Sequence, residues 1–255
     1  MKIFENQVVL ITGAGGGIGQ AIVKQMAQNR AVIVASDFSE EGLQAVRNIA
    51  AKHNADVHTI QGDLTDKSHC AGLPQQAVEM AGGLDIVINN AGIITRGNIL
   101  DATDEDWNRS MQVNVEAVFQ ICRSAIAHMQ DNGGGAIVNT ASCWGLYPGP
   151  DHVVYCTSKA AVAAMSKCLG RDHAHAGIRV NAVCPNEVNT PMLRTGFEKR
   201  GFDPDTAIAE LGKSVPIGHV AEPEEIAEVI CYLASDAARY ITGTTVEVNG
   251  GKPVF

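Results

Sequence analysis

A tyrosine and a lysine four residues apart, Tyr155 and Lys159, lie in the segment YCTSK, where the pattern predicts a helix. Residues four apart share one face of a helix, so both side chains are expected to reach the same site. An ammonium group beside a phenol favours the phenolate, so Lys159 is expected to lower the pKa of Tyr155. A tyrosine activated in this way can act as the general base for an alcohol proton. Such pairs also occur by chance, so the rest of the chain decides what this one means.

A glycine-rich stretch, TGAGGGIG at residues 12–19, lies between a predicted strand and a predicted helix. Glycines in this setting allow a tight turn, a close approach of the backbone to a pyrophosphate, and close packing of helix on strand. The start of the helix then offers free N–H groups and the positive end of its dipole to phosphates. The glycines are not followed by the Lys-Ser/Thr pair of a P-loop. The stretch therefore predicts a dinucleotide site.

Acidic residues at the ends of the second and third predicted strands are placed to face that nucleotide. Asp37 ends the second strand, where a carboxylate accepts hydrogen bonds from the adenosine ribose and repels a 2′-phosphate. Positions 14–16 and 38–41 hold no arginine or lysine for such a phosphate, so the sequence predicts NAD rather than NADP. Asp63 and Leu64 are placed to flank the adenine. The alternatives are a strand-end cap for Asp37 and a turn residue for Asp63.

Short apolar segments alternate with longer amphipathic segments along the whole chain. Strands are predicted at 8–12, 31–36, 56–61, 85–89, 136–140, 178–184 and 245–248, and helices at about 17–29, 39–53, 66–81, 103–131, 152–176 and 222–235. Nearly continuous apolar strands are typical of a parallel sheet buried on both faces. With right-handed crossovers, the alternation predicts one doubly wound, Rossmann-type α/β domain over residues 1–255, with a seven-stranded parallel sheet and helices on both faces.

One segment, residues 186–213, breaks this alternation and carries Pro, Gly and mixed charge. A segment of this length without a clear element is usually a functional lid or a binding loop. It follows the carboxyl end of a strand, where ligands bind in such sheets. We expect a substrate lid here, and the alternative is a poorly ordered surface loop.

Composition excludes several functional classes. The 255 residues are 45% hydrophobic and 18% charged, with a formal net charge of −9, which argues against nucleic-acid binding. The seven cysteines form no C-x-x-C pair, so neither a metal site nor a disulfide framework is expected. The N-terminus lacks the pattern of a signal peptide, and no apolar stretch is long enough to cross a bilayer. The expected location is the cytoplasm, without membrane contact.

Several motifs in a fixed order extend the tyrosine–lysine pair over the chain. They are TGxxxGxG at 12–19, NNAG at 89–92, Asn114, Ser142 ahead of the tyrosine, YxxxK at 155–159, Pro185 after the sixth strand, and Thr190. Together they make the chain similar to the classical short-chain dehydrogenase/reductase family, and the resemblance covers essentially the whole sequence. It implies hydride transfer between a nicotinamide cofactor and a small alcohol or ketone.

The resemblance also implies a role for each matching residue. Ser142 would donate a hydrogen bond to the substrate oxygen, Tyr155 would transfer the proton, and Lys159 would hold the cofactor ribose and tune Tyr155. Asn114 would anchor a water that relays protons from Lys159. The expected cofactor contacts are Gly13, Gly17, Ile18, Gly19, Asp37, Phe38, Asp63, Leu64, Asn90, Ala91, Gly92, Tyr155, Lys159, Pro185, Val188 and Thr190.

One departure from the family pattern lies after the sixth strand, where the family usually has Pro-Gly and this chain has Pro185-Asn186-Glu187. Asparagine tolerates a left-handed backbone better than most residues, so the turn is expected to survive. We hypothesise that Asn186, Glu187 or both contact substrate hydroxyls or a cationic group. The alternative is that both side chains point to solvent.

Family geometry places further side chains around the substrate: Thr95, Arg96, Cys143, Trp144, His152, Met192 and Arg194, together with Ser142, Asn186 and Glu187. This mixture suits a small polyol, sugar, sugar acid or hydroxy acid better than a steroid or a long acyl chain. Arg96 or Arg194 could clamp a carboxylate, whereas Trp144 with Glu187 could hold a cation. His152 is an auxiliary acid–base candidate, although packing at the pocket rim is the simpler interpretation.

Two other functions compete with a dehydrogenase. A nucleotide-binding sensor with the same fold would be expected to lack Ser142, Tyr155 or Lys159, and all three are present. A nucleotide-sugar epimerase would need a larger C-terminal substrate domain than this chain offers.

The resemblance finally implies assembly. Helices 103–131 and 152–176 carry more apolar residues than one sheet face needs, among them Val113, Val115, Val118, Phe119, Ile121, Ile126, Ala160, Val162 and Met165. We expect these helices to form a dimer contact, and a second contact through the C-terminal helix and strand to complete a homotetramer.

Overall fold

A single parallel sheet forms the centre of the protein, whose computed structural model describes residues 3–252. Its strands are β1 Val8–Thr12, β2 Val32–Asp37, β3 Val57–Gln61, β4 Ile86–Asn89, β5 Gly135–Thr140, β6 Ile178–Pro185 and β7 Thr245–Val248. The seven strands lie in the order β3-β2-β1-β4-β5-β6-β7, and every pairing is parallel. The doubly wound Rossmann-type fold is thereby confirmed, and each predicted strand is present to within one residue at either end.

Helices cover both faces of the sheet. They are α1 Gly17–Gln28, α2 Glu40–Lys52, α3 Lys67–Ala81, α4 Asp104–Met111, α5 Ala117–Asp131, α6 Cys143–Leu146, α7 Val153–Asp172, α8 Pro191–Glu198, α9 Pro204–Lys213 and α10 Pro223–Ala234. The predicted helix over 103–131 is present as a continuous helical segment, in which a π-helical turn at Gln112–Glu116 joins α4 to α5. α6 was not predicted, since four residues carry no periodic signal.

The two faces of the sheet have separate hydrophobic cores. Side chains alternate along a strand, so Val9 and Ile11 of β1 enter the core beneath α1 and α10, whereas Leu10 enters the core beneath α3 and α5. All of β1 is buried, as expected for a strand covered on both faces. The sheet is therefore a rigid support for the loops at its carboxyl edge.

Strand order reverses between β1 and β4, since β1 leads outward to β2 and β3 while β4 leads to β5, β6 and β7. In an open parallel sheet, ligands bind at the carboxyl ends of the strands beside such a switch point. The glycine-rich loop follows β1 and the NNAG turn follows β4, so both lie at this crevice.

Residues 186–213 are ordered as two helices. Thr190 caps α8 by accepting from the Leu193 N–H, and Asp203 caps α9 by accepting from the Thr206 N–H. Each helix has proline at its first position, where the missing N–H costs no hydrogen bond. The alternative of a poorly ordered surface loop is therefore wrong, whereas the movement of this segment as a lid stays a prediction.

Candidate functional site

The glycine-rich loop packs so closely on its neighbours that side chains would not fit. Gly13 has φ +62°, and a Cβ there would lie 2.7 Å from the Cα of Ala91. A Cβ on Gly19 would lie 2.0 Å from the Gly13 oxygen, and a Cβ on Gly17 would lie 3.0 Å from the Thr190 side chain. The loop forms one wall of a cavity of about 520 Å³, bounded on other sides by Asp37, Phe38, Asp63, Leu64, Asn90, Ala91 and Gly92. A glycine cradle of this kind fits a dinucleotide.

Asp37 helps to shape this cavity. Its carboxylate oxygens accept hydrogen bonds from the N–H of Gly15, at 2.8 Å, and from the N–H of Ser39, at 2.9 Å. The carboxylate is therefore held at the end of β2, toward the glycine-rich loop. Its alternative role as a strand-end cap is thus compatible with a place in the cavity wall.

The NNAG turn is tied to the glycine-rich loop across the switch point. Asn90 donates to the Gly13 carbonyl at 3.1 Å, and the N–H of Ala91 donates to the Thr12 hydroxyl at 3.3 Å. Asn89 lies one residue deeper, buried in the sheet, and donates to Asn139. The turn therefore lies between the cavity of about 520 Å³ and a second cavity at the carboxyl ends of β5 and β6.

Lys159 enters the second cavity, of about 340 Å³, from α7. Its side chain is buried, and the Nζ donates to the Thr140 carbonyl at 2.8 Å. Burial lowers the pKa of this ammonium to about 8. A Cβ on Gly92 would lie 3.0 Å from the Nζ, so the glycine of the NNAG turn leaves room for the lysine.

Tyr155 lies one turn before Lys159 and lines the same cavity. The Lys159 Nζ is 6.0 Å from the centre of the Tyr155 ring. Burial raises the pKa of the phenol, and the Ser142 side chain opposes that effect without cancelling it. For the chain by itself burial has the largest effect, and the lowering of the Tyr155 pKa by Lys159 stays a prediction.

Ser142 and Asn114 complete the group expected from the motifs. Ser142 begins α6, where its hydroxyl accepts from the Trp144 N–H at 3.1 Å and donates to the Pro185 carbonyl at 3.4 Å. Asn114 lies in the π-helical turn, a structure that often marks functional sites. Its amide accepts from the Ile93 N–H at 2.8 Å and donates to the Ile93 carbonyl at 2.9 Å. Asn114 therefore fixes the loop that follows the NNAG turn.

Asn186 and Glu187 line the second cavity, and both also line a smaller cavity of about 100 Å³. Among residues 3–252, the Nδ2 of Asn186 and the Oε2 of Glu187 are buried atoms without a hydrogen-bond partner. The other Glu187 oxygen pairs with Lys252 at 3.0 Å. Buried polar atoms without partners cost free energy, so each of these two atoms needs a partner that the described chain does not supply.

Most of the other predicted substrate contacts also lie in this wall. They are Arg96, Trp144, His152 and Met192. Three of the expected cofactor contacts, Pro185, Val188 and Thr190, line the same cavity, and Ile18 and Thr190 line both cavities. The rings of Trp144 and His152 meet edge to face, with centroids 4.3 Å apart. Burial lowers the pKa of His152, in keeping with its place in the pocket wall.

Arg194 is a correction, because it does not line either cavity. Its Nε donates to the Asn189 side chain at 3.0 Å and its guanidinium pairs with Asp205 at 2.9 Å, so it joins the two lid helices. Thr95 also points elsewhere and bonds the Ser110 hydroxyl. Residues 186–213 place Arg200, Phe197 and Leu211 in the wall instead. The sequence did not single them out, because α8, α9 and the turn between them were not predicted as elements.

The chain is similar to known proteins over nearly its whole length. The family model described as Enoyl-(Acyl carrier protein) reductase matches residues 13–252. A 3-oxoacyl-[acyl-carrier-protein] reductase of Thermotoga maritima is 35% identical over 97% of this chain and 98% of its own length. A 2-keto-3-deoxy-L-fuconate dehydrogenase of Xanthomonas campestris is 35% identical over 95% of this chain and 78% of its own length.

The chain is also similar to solved structures over nearly its whole length. The crystal structure of levodione reductase superposes with a TM-score of 0.94 and 30% identity, and the match covers 98% of both chains. Across residues 3–252, no helix is long and apolar enough to cross a membrane. The chain is therefore an oxidoreductase of the classical short-chain dehydrogenase/reductase family, which works with a nicotinamide cofactor.

Proposed function

We propose that the protein is an NAD(H)-dependent dehydrogenase that interconverts a small polar secondary alcohol and its ketone or lactone. The observation that carries the proposal is the convergence of Ser142, Tyr155 and Lys159 on one cavity that adjoins the glycine-lined cavity. A sensor that had lost the chemistry would not need this group. No observation favours the epimerase alternative.

The chain's own residues divide the work in this proposal. The nicotinamide, when bound, exchanges a hydride with the carbon of the substrate. Ser142 donates a hydrogen bond to the substrate oxygen, and the Tyr155 phenol holds or accepts the proton of the same oxygen. Lys159, charged below its pKa of about 8, keeps a positive charge beside Tyr155. Asn114 positions the backbone at Ile93 that borders the site.

The preference for NAD is supported by Asp37. Its carboxylate is held at the rim of the large cavity by two backbone N–H groups. A 2′-phosphate placed there would meet a negative charge, whereas ribose hydroxyls would meet an acceptor. Phe38, with 72% of its surface exposed, follows Asp37 in the same wall and offers an apolar face for the adenine.

The polar character of the substrate is supported by Asn186 and Glu187. Both residues line the cavity, and their unpartnered amide N–H and carboxylate oxygen match the acceptor and donor of hydroxyl groups. A steroid or a long acyl chain would leave both atoms without partners at a cost of about 1–3 kcal/mol each. A polyol, sugar, sugar acid or hydroxy acid would satisfy them.

The test is nicotinamide reduction with a panel of polyols, aldoses, sugar acids, hydroxy acids and simple secondary alcohols, with NAD⁺ and NADP⁺ side by side. Turnover of one polar class with NAD⁺ is expected. Turnover chiefly with NADP⁺ would overturn the role of Asp37 and leave the fold unaffected. Tight NADH binding without turnover of any alcohol would favour the sensor, and Tyr155→Phe in a cellular assay would then tell a sensor from an untested substrate.

We also propose a cytoplasmic homotetramer. Fewer apolar residues are left for the contact between copies than the sequence indicated. Five of those it indicated are already buried within one chain, namely Val113, Val118, Ile121, Ile126 and Val162. Phe119 on α5 stays 47% exposed and is the best candidate for the contact between copies. Light scattering at micromolar concentration is expected to give four copies, and a monomer would contradict the proposal.

A further inference from the structure

The second cavity, into which Lys159 extends, is lined by more cationic than anionic side chains, although the protein has a net charge of −9. Its lining holds the cationic side chains of Arg96, Lys159 and Arg200, and Glu187 is its one carboxylate among residues 3–252. Glu187 is already paired with Lys252 at 3.0 Å. The cavity therefore has an excess of positive charge that the chain itself does not neutralise.

Arg96 is held at the cavity by its backbone. The next residue, Gly97, has φ +128°, and its N–H donates to the Asp151 carbonyl at 2.6 Å. This contact ties the loop after β4 to the start of α7, beside His152. The Arg96 guanidinium then packs against α8, where a Cβ on Gly196 would lie 2.6 Å from its Nη2. Gly196 therefore leaves space for this arginine.

Arg200 approaches the same place from the end of α8. Its Nε donates to the Gly196 carbonyl at 2.9 Å, and its guanidinium lies 4.7 Å from the centre of the Phe197 ring. These contacts orient the side chain and leave its terminal N–H groups available. None of the ion pairs within the described part of the chain involves Arg96 or Arg200.

The two guanidinium groups are close enough to affect each other. Burial lowers the pKa of Arg96, and the positive charge of Arg200 adds to that effect. Both charges also act to lower the pKa of His152, so all three groups share one electrostatic environment. Like charges repel, and an anion between them would remove the repulsion and accept several charge-assisted hydrogen bonds.

We infer that Arg96 and Arg200 bind a carboxylate of the substrate, which is therefore a hydroxy acid or a sugar acid and its keto acid. The inference rests on the proposed function and specifies its substrate class. The planar fork of each guanidinium matches the two oxygens of a carboxylate. The Asn186 and Glu187 atoms then contact the hydroxyl groups of the same molecule.

The inference is tested with matched substrates that differ only in charge, namely hydroxy acids and sugar acids with their neutral amides and the corresponding alditols. The acid is expected to be preferred in kcat/KM by about tenfold or more, since each charge-assisted hydrogen bond contributes strongly. Arg96→Gln and Arg200→Gln are expected to raise KM for the acid by roughly 10- to 100-fold. The same variants should raise KM for the amide by a much smaller factor than for the acid.

Arg194→Gln is the matched control, because Arg194 lies in α8, close to Arg200 in the sequence, with its guanidinium paired to Asp205 outside the cavity. It should not change the preference for acid over amide. Gly196→Ala displaces the Arg96 guanidinium without removing a charge and should reproduce part of the Arg96→Gln effect. Calorimetry of the hydroxy acid and of its amide with the NADH-loaded Tyr155→Phe protein should show tighter binding of the acid, in the absence of turnover.

Equal loss for acid and amide in the arginine variants would overturn the inference. So would a wild-type preference for neutral alcohols, which would leave the proposed function standing. A preference for a phosphate ester over the carboxylate would show that the arginines bind a different anion. Absence of turnover with every alcohol and both cofactors would instead overturn the proposed function.

Discussion

At the scale of single residues, the site depends on Tyr155, which is partly buried, and on Lys159, which is buried. Burial disfavours the charged form of each, so it raises the pKa of Tyr155 and lowers the pKa of Lys159 to about 8. The chain alone therefore keeps Tyr155 protonated at neutral pH. In the proposed reaction, alcohol oxidation needs the phenolate and becomes faster as pH rises, whereas ketone reduction uses the protonated phenol and becomes slower.

Tyr155→Phe is expected to reduce turnover by about 10²–10⁴, because proton transfer to a positioned side chain contributes that much. NADH binding, followed by fluorescence, should fall far less than turnover. Tyr147→Phe is the matched control, since Tyr147 lies outside the cavity and donates its hydroxyl to Glu247. A Tyr155→Phe protein with near wild-type kcat would show that another group transfers the proton.

At the scale of elements, the contact between the glycine-rich loop and α1 positions the nucleotide end of the site. Gly19 lies in the first turn of α1, against the backbone of Gly13 and Ala14. The glycines thus allow the helix to begin close to the end of β1. The same loop is hydrogen-bonded to the NNAG turn, whose Gly92 lies beside Lys159. We therefore expect a substitution in the loop to alter the surroundings of Lys159.

Gly19→Ala is expected to destabilise the fold by about 2–3 kcal/mol and to weaken NADH binding, because its Cβ would overlap backbone atoms that cannot move independently. Gly72→Ala is the matched control in α3, where the new Cβ meets only the tip of Gln76 at 3.3 Å. Alanine there should be neutral or stabilise by up to about 1 kcal/mol. Chemical denaturation and NADH titration of both variants provide the comparison, and equal stabilities would contradict it.

At the scale of the whole molecule, the sheet and its helices bury most of the cysteines. Of the seven free cysteines, only Cys168 is exposed. Burial raises the pKa of Cys122 and of Cys231 to about 12 and that of Cys70 to about 11. These thiols keep their protons in the folded state at pH values where the unfolded chain loses them. Their contribution to stability is therefore complete below about pH 9 and is lost as pH rises toward 11–12.

The free energy of unfolding is accordingly expected to fall above about pH 9, by roughly 1 kcal/mol per buried thiol at pH 10. Urea denaturation under reducing conditions at pH 8 and pH 10 measures the change. Cys122→Ala should reduce the fall, whereas Cys168→Ala should leave it as in the wild type. Identical falls in the wild type and in Cys122→Ala would show that other groups cause the alkaline loss.

Local chemistry alone determined much of this protein. Strand positions could be predicted because short, nearly continuous apolar β-branched segments are typical of strands buried on both faces of a parallel sheet. The glycine-rich loop and the tyrosine–lysine pair were also readable, since their meaning depends on spacing along one strand–turn–helix or one helix face. Asp37 followed from its place at the end of the second strand, and Ser142 and Asn114 followed from the order of the motifs.

Only the tertiary structure decided what depends on contacts between distant segments. The π-helical turn at Asn114 arises where α4 and α5 meet the loop at Ile93, and a periodic pattern does not reveal it. Arg194 in α8 and Arg200 just beyond its end carry the same charge, yet one pairs with Asp205 and the other lines the cavity. The packing of α8 and its C-terminal turn against the rest of the fold, which no local signal encodes, places those two side chains. Desolvation of Tyr155 is likewise a property of the assembled cavity, so its sign emerged only in three dimensions.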